Sequence, residues 1–147
     1  MQKLKFISTP REELKDYKDY VGSLFLNDIG MYNICETEEE VAKTNKWNIN
    51  CPLRVIIVSE NETIQPGDKF MANCTNQDLD GGLFTYLGPL KDSDGLIDIL
   101  SESEEKIIST NFLILKNSAF KYLREATNAE LQMIVSKQAT CDILENV

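Results

Sequence analysis

The residues in this chain with chemistry to offer are mainly carboxylates. Its 147 residues hold 24 acids against 15 lysines and arginines, four cysteines and no histidine. The nearest approach to a metal-binding motif is Asp92-Ser93-Asp94-Gly95-Leu96-Ile97-Asp98. Set on a calcium-binding EF-hand loop, Asp92 and Asp94 take the third and fifth positions, Gly95 the sixth and Ile97 the apolar eighth. The first and twelfth positions then fall on Leu90 and Ser101, so the leading aspartate and the closing bidentate glutamate are missing. Gly88-Pro89 also spoils an entering helix, and the segment is expected to be a hairpin turn. No metal and no cofactor is expected. Cys35, Cys51, Cys74 and Cys141 are scattered without a C-x-x-C pair, which predicts free thiols in a reducing compartment.

Acid-base catalysis lacks its commonest base, and no nucleophile motif such as G-x-S-x-G replaces it. The sequence therefore predicts no enzyme. The net charge is −9, and from Glu60 to Glu105 eleven acids face only Lys69 and Lys91, so that span holds all of it. A surface of this sign repels nucleic acid and anionic membranes, so neither is an expected partner. Its most concentrated part, Asp78, Asp80, Asp92, Asp94, Asp98, Glu102, Glu104 and Glu105, is the candidate protein-interaction set.

The elements that must position these acids are legible from the periodicities. Thr9-Pro10-Arg11-Glu12 offers an N-cap, a proline for the first turn and a capping glutamate, and Leu14, Tyr17, Val21 and Leu24 follow at helical spacing. This predicts an amphipathic helix from Pro10, weakened at Gly22 and ending near Asn27-Asp28, with Tyr17 and Tyr20 as core or rim. Thr37-Glu38-Glu39-Glu40 is a second capping box, opening a short helix to about Lys46. Trp47 is expected to pack this helical half onto strands.

After Cys51-Pro52 the pattern changes to short strands separated by turns. Val55–Val58 reads as a buried strand, Gln65-Pro66-Gly67-Asp68 as a turn, and 69–74 as the return strand. Leu83–Leu87 reads as a strand broken by Gly88-Pro89, and 97–100, 106–109 and 120–123 supply further short strands. A third capping box, Thr127-Asn128-Ala129-Glu130, opens a helix to about Gln138 with Leu131, Ile134 and Val135 on one face, expected to lie on the strands. The prediction is an α+β fold: a small barrel or bent antiparallel sheet over 51–126, a helical segment over 1–50 packed on it, and a C-terminal helix and tail over 127–147, all one domain.

Two stretches carry a family resemblance. VIIVSENETIQPGDKF, from Val55, looks like the V-Y-I-x-S-x-x-E-I-K-x-G-D segments of small SH3-like-barrel proteins from Bacteroidetes phages and mobile elements. YLREATNAEL, from Tyr122, is similar to the Y-R-x-A-T-x-x-E-[LI] ending that follows the barrel in such proteins. Residues 10–47 match neither. The resemblance implies an SH3-like β-barrel and a virion component of decoration, connector or ring type, docking on other protein subunits or on copies of itself. The charge map suggests an alternative, an acidic regulator or nucleic-acid mimic that binds a basic host protein. A third is a small-ligand site around Trp47, Phe84 and Tyr86. With no signal-peptide core and no apolar run long enough to span a bilayer, the expected place of synthesis is the cytoplasm.

Overall fold

Alternating apolar residues and left-handed glycine turns dominate the chain, and they produce strands far more than helices. The structure, a computed structural model, describes residues 2–8, 16–26, 30–46 and 52–137. In chain order the elements are β1 (Gln2–Ser8), a 3-10 turn (Tyr17–Tyr20), β2 (Leu24–Leu26), β3 (Tyr32–Ile34), α1 (Glu38–Lys46), β4 (Pro52–Ser59), β5 (Lys69–Ala72), β6 (Leu83–Pro89), β7 (Leu96–Ser101), β8 (Ile107–Asn111), α2 (Leu113–Asn117), β9 (Ala119–Glu125) and α3 (Asn128–Lys137). The pairings are mostly antiparallel and the sheet does not close. This agrees with the α+β expectation. Two compact units divide the chain, residues 57–124 with 1–3, and residues 4–56 with 125–147.

In the first unit β5, β6, β7 and β8 form an antiparallel meander, and β9 returns beside β5, giving the order β9-β5-β6-β7-β8. The period-two pattern sets which side chains face in. Ile97 and Ile99 are buried, Asp98 and Leu100 are half-buried on the other face, and Phe70 and Phe84 are paired in register with ring centroids 5.8 Å apart. With Ile64, Ala72, Leu79 and Ile114 these residues form one core, in which each fully buried large side chain contributes about 1.5–3 kcal/mol.

The Gln65–Asp68 turn forms as predicted, with Gly67 at φ 96° and the Gln65 amide donating to the Asp68 carboxylate at 2.9 Å. It does not fold β5 back onto the Val55–Val58 strand, however. Both edges of β5 are taken, by β6 and by β9. Gly88-Pro89 also does not end its strand. The register shifts by a bulge between Tyr86 and Gly88, Gly88 absorbs it at φ 124°, and Pro89 pairs with Ile97.

In the second unit β2 pairs with β3, Leu24 opposite Ile34, and with β4, Leu24 opposite Leu53. The helix predicted from Pro10 does not continue through residues 16–26, where a single 3-10 turn leads into β2; residues 10–15 lie outside the described set. Two features decide against it. Gly22 sits at φ 87° and its amide donates to the Cys35 carbonyl at 2.7 Å, which fixes a turn. Leu24 and Phe25 are both fully buried but in separate clusters, Leu24 with Val55 and Ile134, Phe25 with Cys35 and Val41. Neighbours buried on opposite sides require a strand. Tyr17 and Tyr20 pack at the rim of the Phe25 cluster, as expected.

The other two capping boxes form. Thr37 Oγ1 accepts from the Glu40 amide at 3.1 Å, and the Glu40 carboxylate reaches the Glu36 amide at 3.1 Å. At α3 the exchange is reciprocal, Thr127 Oγ1 with the Glu130 amide at 3.2 Å and the Glu130 carboxylate with the Thr127 amide at 2.9 Å. α3 buries Ile134 against Leu24 of β2 and Val55 of β4, so it lies on strands of its own unit.

Candidate interaction surface

The eight predicted site acids all fall in the first unit, but the fold does not gather them into one face. Asp92 and Asp94 lie in the turn joining β6 to β7, closed by the Leu90 amide on the Leu96 carbonyl at 3.0 Å, with Asp92 at φ 66° and Gly95 at φ 82°. This is the predicted hairpin turn. Glu102, Glu104 and Glu105 lie in the turn at the other end of β7, about 20 Å away at roughly 3.3 Å per residue of strand. Asp78 and Asp80 belong to the β5–β6 connection, where the Asp80 carboxylate accepts from the Cys74 amide at 3.0 Å.

Several of these acids are occupied locally. Asp98 accepts from the Ser109 hydroxyl at 2.7 Å, Glu102 pairs with Lys69 at 2.8 Å, and Glu104 pairs with Lys106 at 2.9 Å. Elsewhere in the unit Lys121 lies 3.5 Å from both Glu62 and Asp68, and Lys3 lies 3.1 Å from Glu60. The acid-rich span has recruited bases from outside it. The whole unit holds eleven acids against seven bases, a balance of −4, compared with the −9 of the linear span. Among the described residues no group of three or more acids and thiols is close enough to hold a metal ion.

Two hollows in this unit have mainly polar linings. One of about 510 Å³ is lined by Asn76, Asp78 and Leu79 on one side and Glu104, Lys106, Ile108, Ser109 and Thr110 on the other. Another, of about 410 Å³, takes Tyr86, Phe112 and Lys116 with the Glu60–Ile64 segment. Phe84 is buried in the core, so it does not line a ligand site with Tyr86, and Trp47 lies outside the described residues. In the second unit a hollow of about 420 Å³ contains Arg54, whose guanidinium grips the Glu125 carboxylate through Nε at 2.7 Å and a second nitrogen at 3.2 Å. Cys35 is a buried free thiol and Cys74 a half-buried one; Cys51 and Cys141 lie outside the described residues.

The feature that sequence reasoning missed is the edge of the meander. β8 ends the order β9-β5-β6-β7-β8 and has the sequence Ile-Ile-Ser-Thr-Asn, with neither charge nor proline. Pairing with β7 joins Ile97 to Thr110 and Ile99 to Ile108. The flanking bonds, the Phe112 amide to the Gly95 carbonyl at 2.8 Å and the Ser101 amide to the Lys106 carbonyl at 2.9 Å, fix which backbone groups face β7. In antiparallel pairing these alternate, so Ile107, Ser109 and Asn111 turn their N–H and C=O groups outward. These outward groups have no hydrogen bond among the described residues. Ile107 is 62% exposed, the most exposed large apolar side chain described. Residues 106–109 read as a short strand, and nothing local to them signals that the next strand is absent.

No family model, no curated protein and no solved structure matches this chain. Among the described residues no helix is long and apolar enough to cross a membrane.

Proposed function

We propose that the chain is a non-enzymatic protein–protein interaction subunit whose residues 57–124 adopt an SH3-like arrangement. Four meandering strands, a helical turn at α2 and a fifth strand returning beside the first support the SH3-like part of this reading. The observation that carries the interaction role is the β8 edge. A five-residue, uncharged, proline-free strand with an exposed isoleucine offers a row of unmet backbone groups, the kind of edge that monomers usually blunt with charge, proline or a bulge. The segment likeness gives such a subunit its most specific context, a phage virion component of decoration, connector or ring type, assembled from protein subunits and made in the host cytoplasm.

The acidic-mimic alternative has less support, because the acids sit in separate turns and several are paired with lysines. Native mass spectrometry of the particle that contains the chain, with identification of what co-purifies, tests the proposal. A particle larger than one chain whose mass resists added salt is expected. A lone monomer with no companion would overturn it, and a basic partner lost steeply as salt rises would favour the mimic.

A further inference from the structure

We propose that β8 is a self-pairing edge, and that the surface it completes takes a second copy of this chain as an antiparallel strand. This rests on the interaction-subunit reading and names its partner. The outward groups of Ile107, Ser109 and Asn111 are spaced to meet their own copies about a two-fold axis at Ser109. Ser109 then faces Ser109 of the second copy, and Ile107 faces Asn111 in both directions. Each opposed pair exchanges two N–H to C=O bonds, so three pairs give six, the largest number this strand can form in any register. A slip to a neighbouring axis leaves one outward residue of each copy unmatched.

Charge favours the same register. The edge strand carries no charged side chain of its own; Asp98 of β7, to which the Ser109 hydroxyl donates, lies beside it, and the strand's two ends are unlike. The end toward β7 carries Glu105, and the far end runs into α2 with Lys116, whose ammonium lies 5.7 Å over the Phe112 ring. The β6–β7 turn brings Lys91, Asp92 and Asp94 to that far end, which with Lys116 is neutral overall. Neither Glu105 nor Lys116 has an ion pair among the described residues. Antiparallel pairing centred on Ser109 brings the glutamate end of each copy beside the lysine end of the other, twice by symmetry. A parallel arrangement would put like ends together. The Asn76–Leu79 segment lines two hollows together with residues of β8, of about 510 and 210 Å³, and makes no hydrogen bond to the outward groups.

The test is the mass of the purified full chain by light scattering and sedimentation over a range of concentration, for the natural sequence and two edge variants. Ser109→Pro removes an outward N–H and keeps the backbone bonds to β7 but also loses the Ser109–Asp98 side-chain bond. Ser109→Ala, which loses only that bond and should keep the dimer, is its control. Ile107→Lys puts a charge on the edge. Ser109→Pro and Ile107→Lys are each expected to raise the dimer dissociation constant about tenfold or more, with the circular dichroism unchanged. Val21→Lys, an exposed apolar position in the other unit, should leave the dimer intact. Glu105→Lys alone and Lys116→Glu alone should each weaken it severalfold, and the double exchange should restore it. A natural sequence that stays monomeric at every concentration overturns the inference, as does a dimer that ignores both edge variants. Either result leaves the interaction-subunit reading standing if the native particle holds another chain; that reading fails separately, on a native particle that is one chain alone.

Discussion

Gly82 has no room for a β-carbon. One built there meets the Phe84 ring at 3.0 Å and the Leu79 carbonyl at 3.2 Å, and the ring is held in the core against Phe70. Gly82→Ala is therefore expected to lower stability by about 1–3 kcal/mol, measured by urea unfolding, through displacement of Phe84. Tyr32 makes a second residue-scale prediction. Burial pushes its hydroxyl above the ordinary value of 10.0, and its ring packs edge-on to Phe6 at 5.3 Å. The folded state holds this proton to higher pH than the unfolded chain does. Its contribution to stability is complete below pH 10.0 and is lost as pH rises through the folded value. The alkaline fall in melting temperature should thus be shallower in Tyr32→Phe than in the natural protein. Neither constraint is legible in the sequence, because Gly82 reads as half of a permissive Gly-Gly turn and Tyr32 as one tyrosine of five.

At the scale of elements, the sequence was most informative where a local device suffices. The capping boxes at Thr37 and Thr127 close onto their own helices, and Thr127→Ala should cost about 1 kcal/mol of stability, checked by thermal or urea melting. Pro66-Gly67 and Asp92-Gly95 turn where their backbones demand it. Where distant chain decides, local pattern misled. Leu24 fitted a helical repeat with Tyr17 and Val21, yet its burial beside Val55 and Ile134 required partners about 30 and 110 residues away, which no helical repeat reports. The β7–β8 turn holds a residue that its conformation disfavours, Glu105 at φ 54°. A non-glycine residue there costs roughly 1–2 kcal/mol. Glu105→Gly should raise stability by up to about that amount, whereas Glu105→Ala should not, and a side-by-side urea titration of the two separates conformational relief from loss of charge.

For the whole molecule, linear charge was a poor guide to surface charge. The −9 of residues 60–105 becomes −4 for the folded unit once Lys3, Lys106, Lys116, Lys121 and Arg124 are counted with it. The candidate acids were legible as a set, but their separation into turns at opposite ends of β7 was not, because it depends on the strand between them. Neutralising Asp92, Asp94 and Glu104 together, with Glu105 kept, should leave the mass of the native assembly unchanged. Exposed pairs contribute only about 0–1 kcal/mol each, well below what reversing a charge at a two-fold contact removes. A change of mass in that variant would mean that the acids bind a partner directly.

The placement of β9 beside β5 has a consequence for how the chain comes to be folded. The two strands lie about 50 residues apart in sequence and pair Phe70 with Lys121 and Ala72 with Ala119. During synthesis the meander from β5 to β8 emerges with β5 exposed along one side, and that side stays open until residues 119–124 have left the ribosome. A high contact order of this kind slows folding and prolongs the exposure of a pairing-competent strand. A chain that stalls before Ala119 leaves the β5 side of the meander open as well as its β8 side, and aggregation of such nascent chains should fall sharply once β9 is complete.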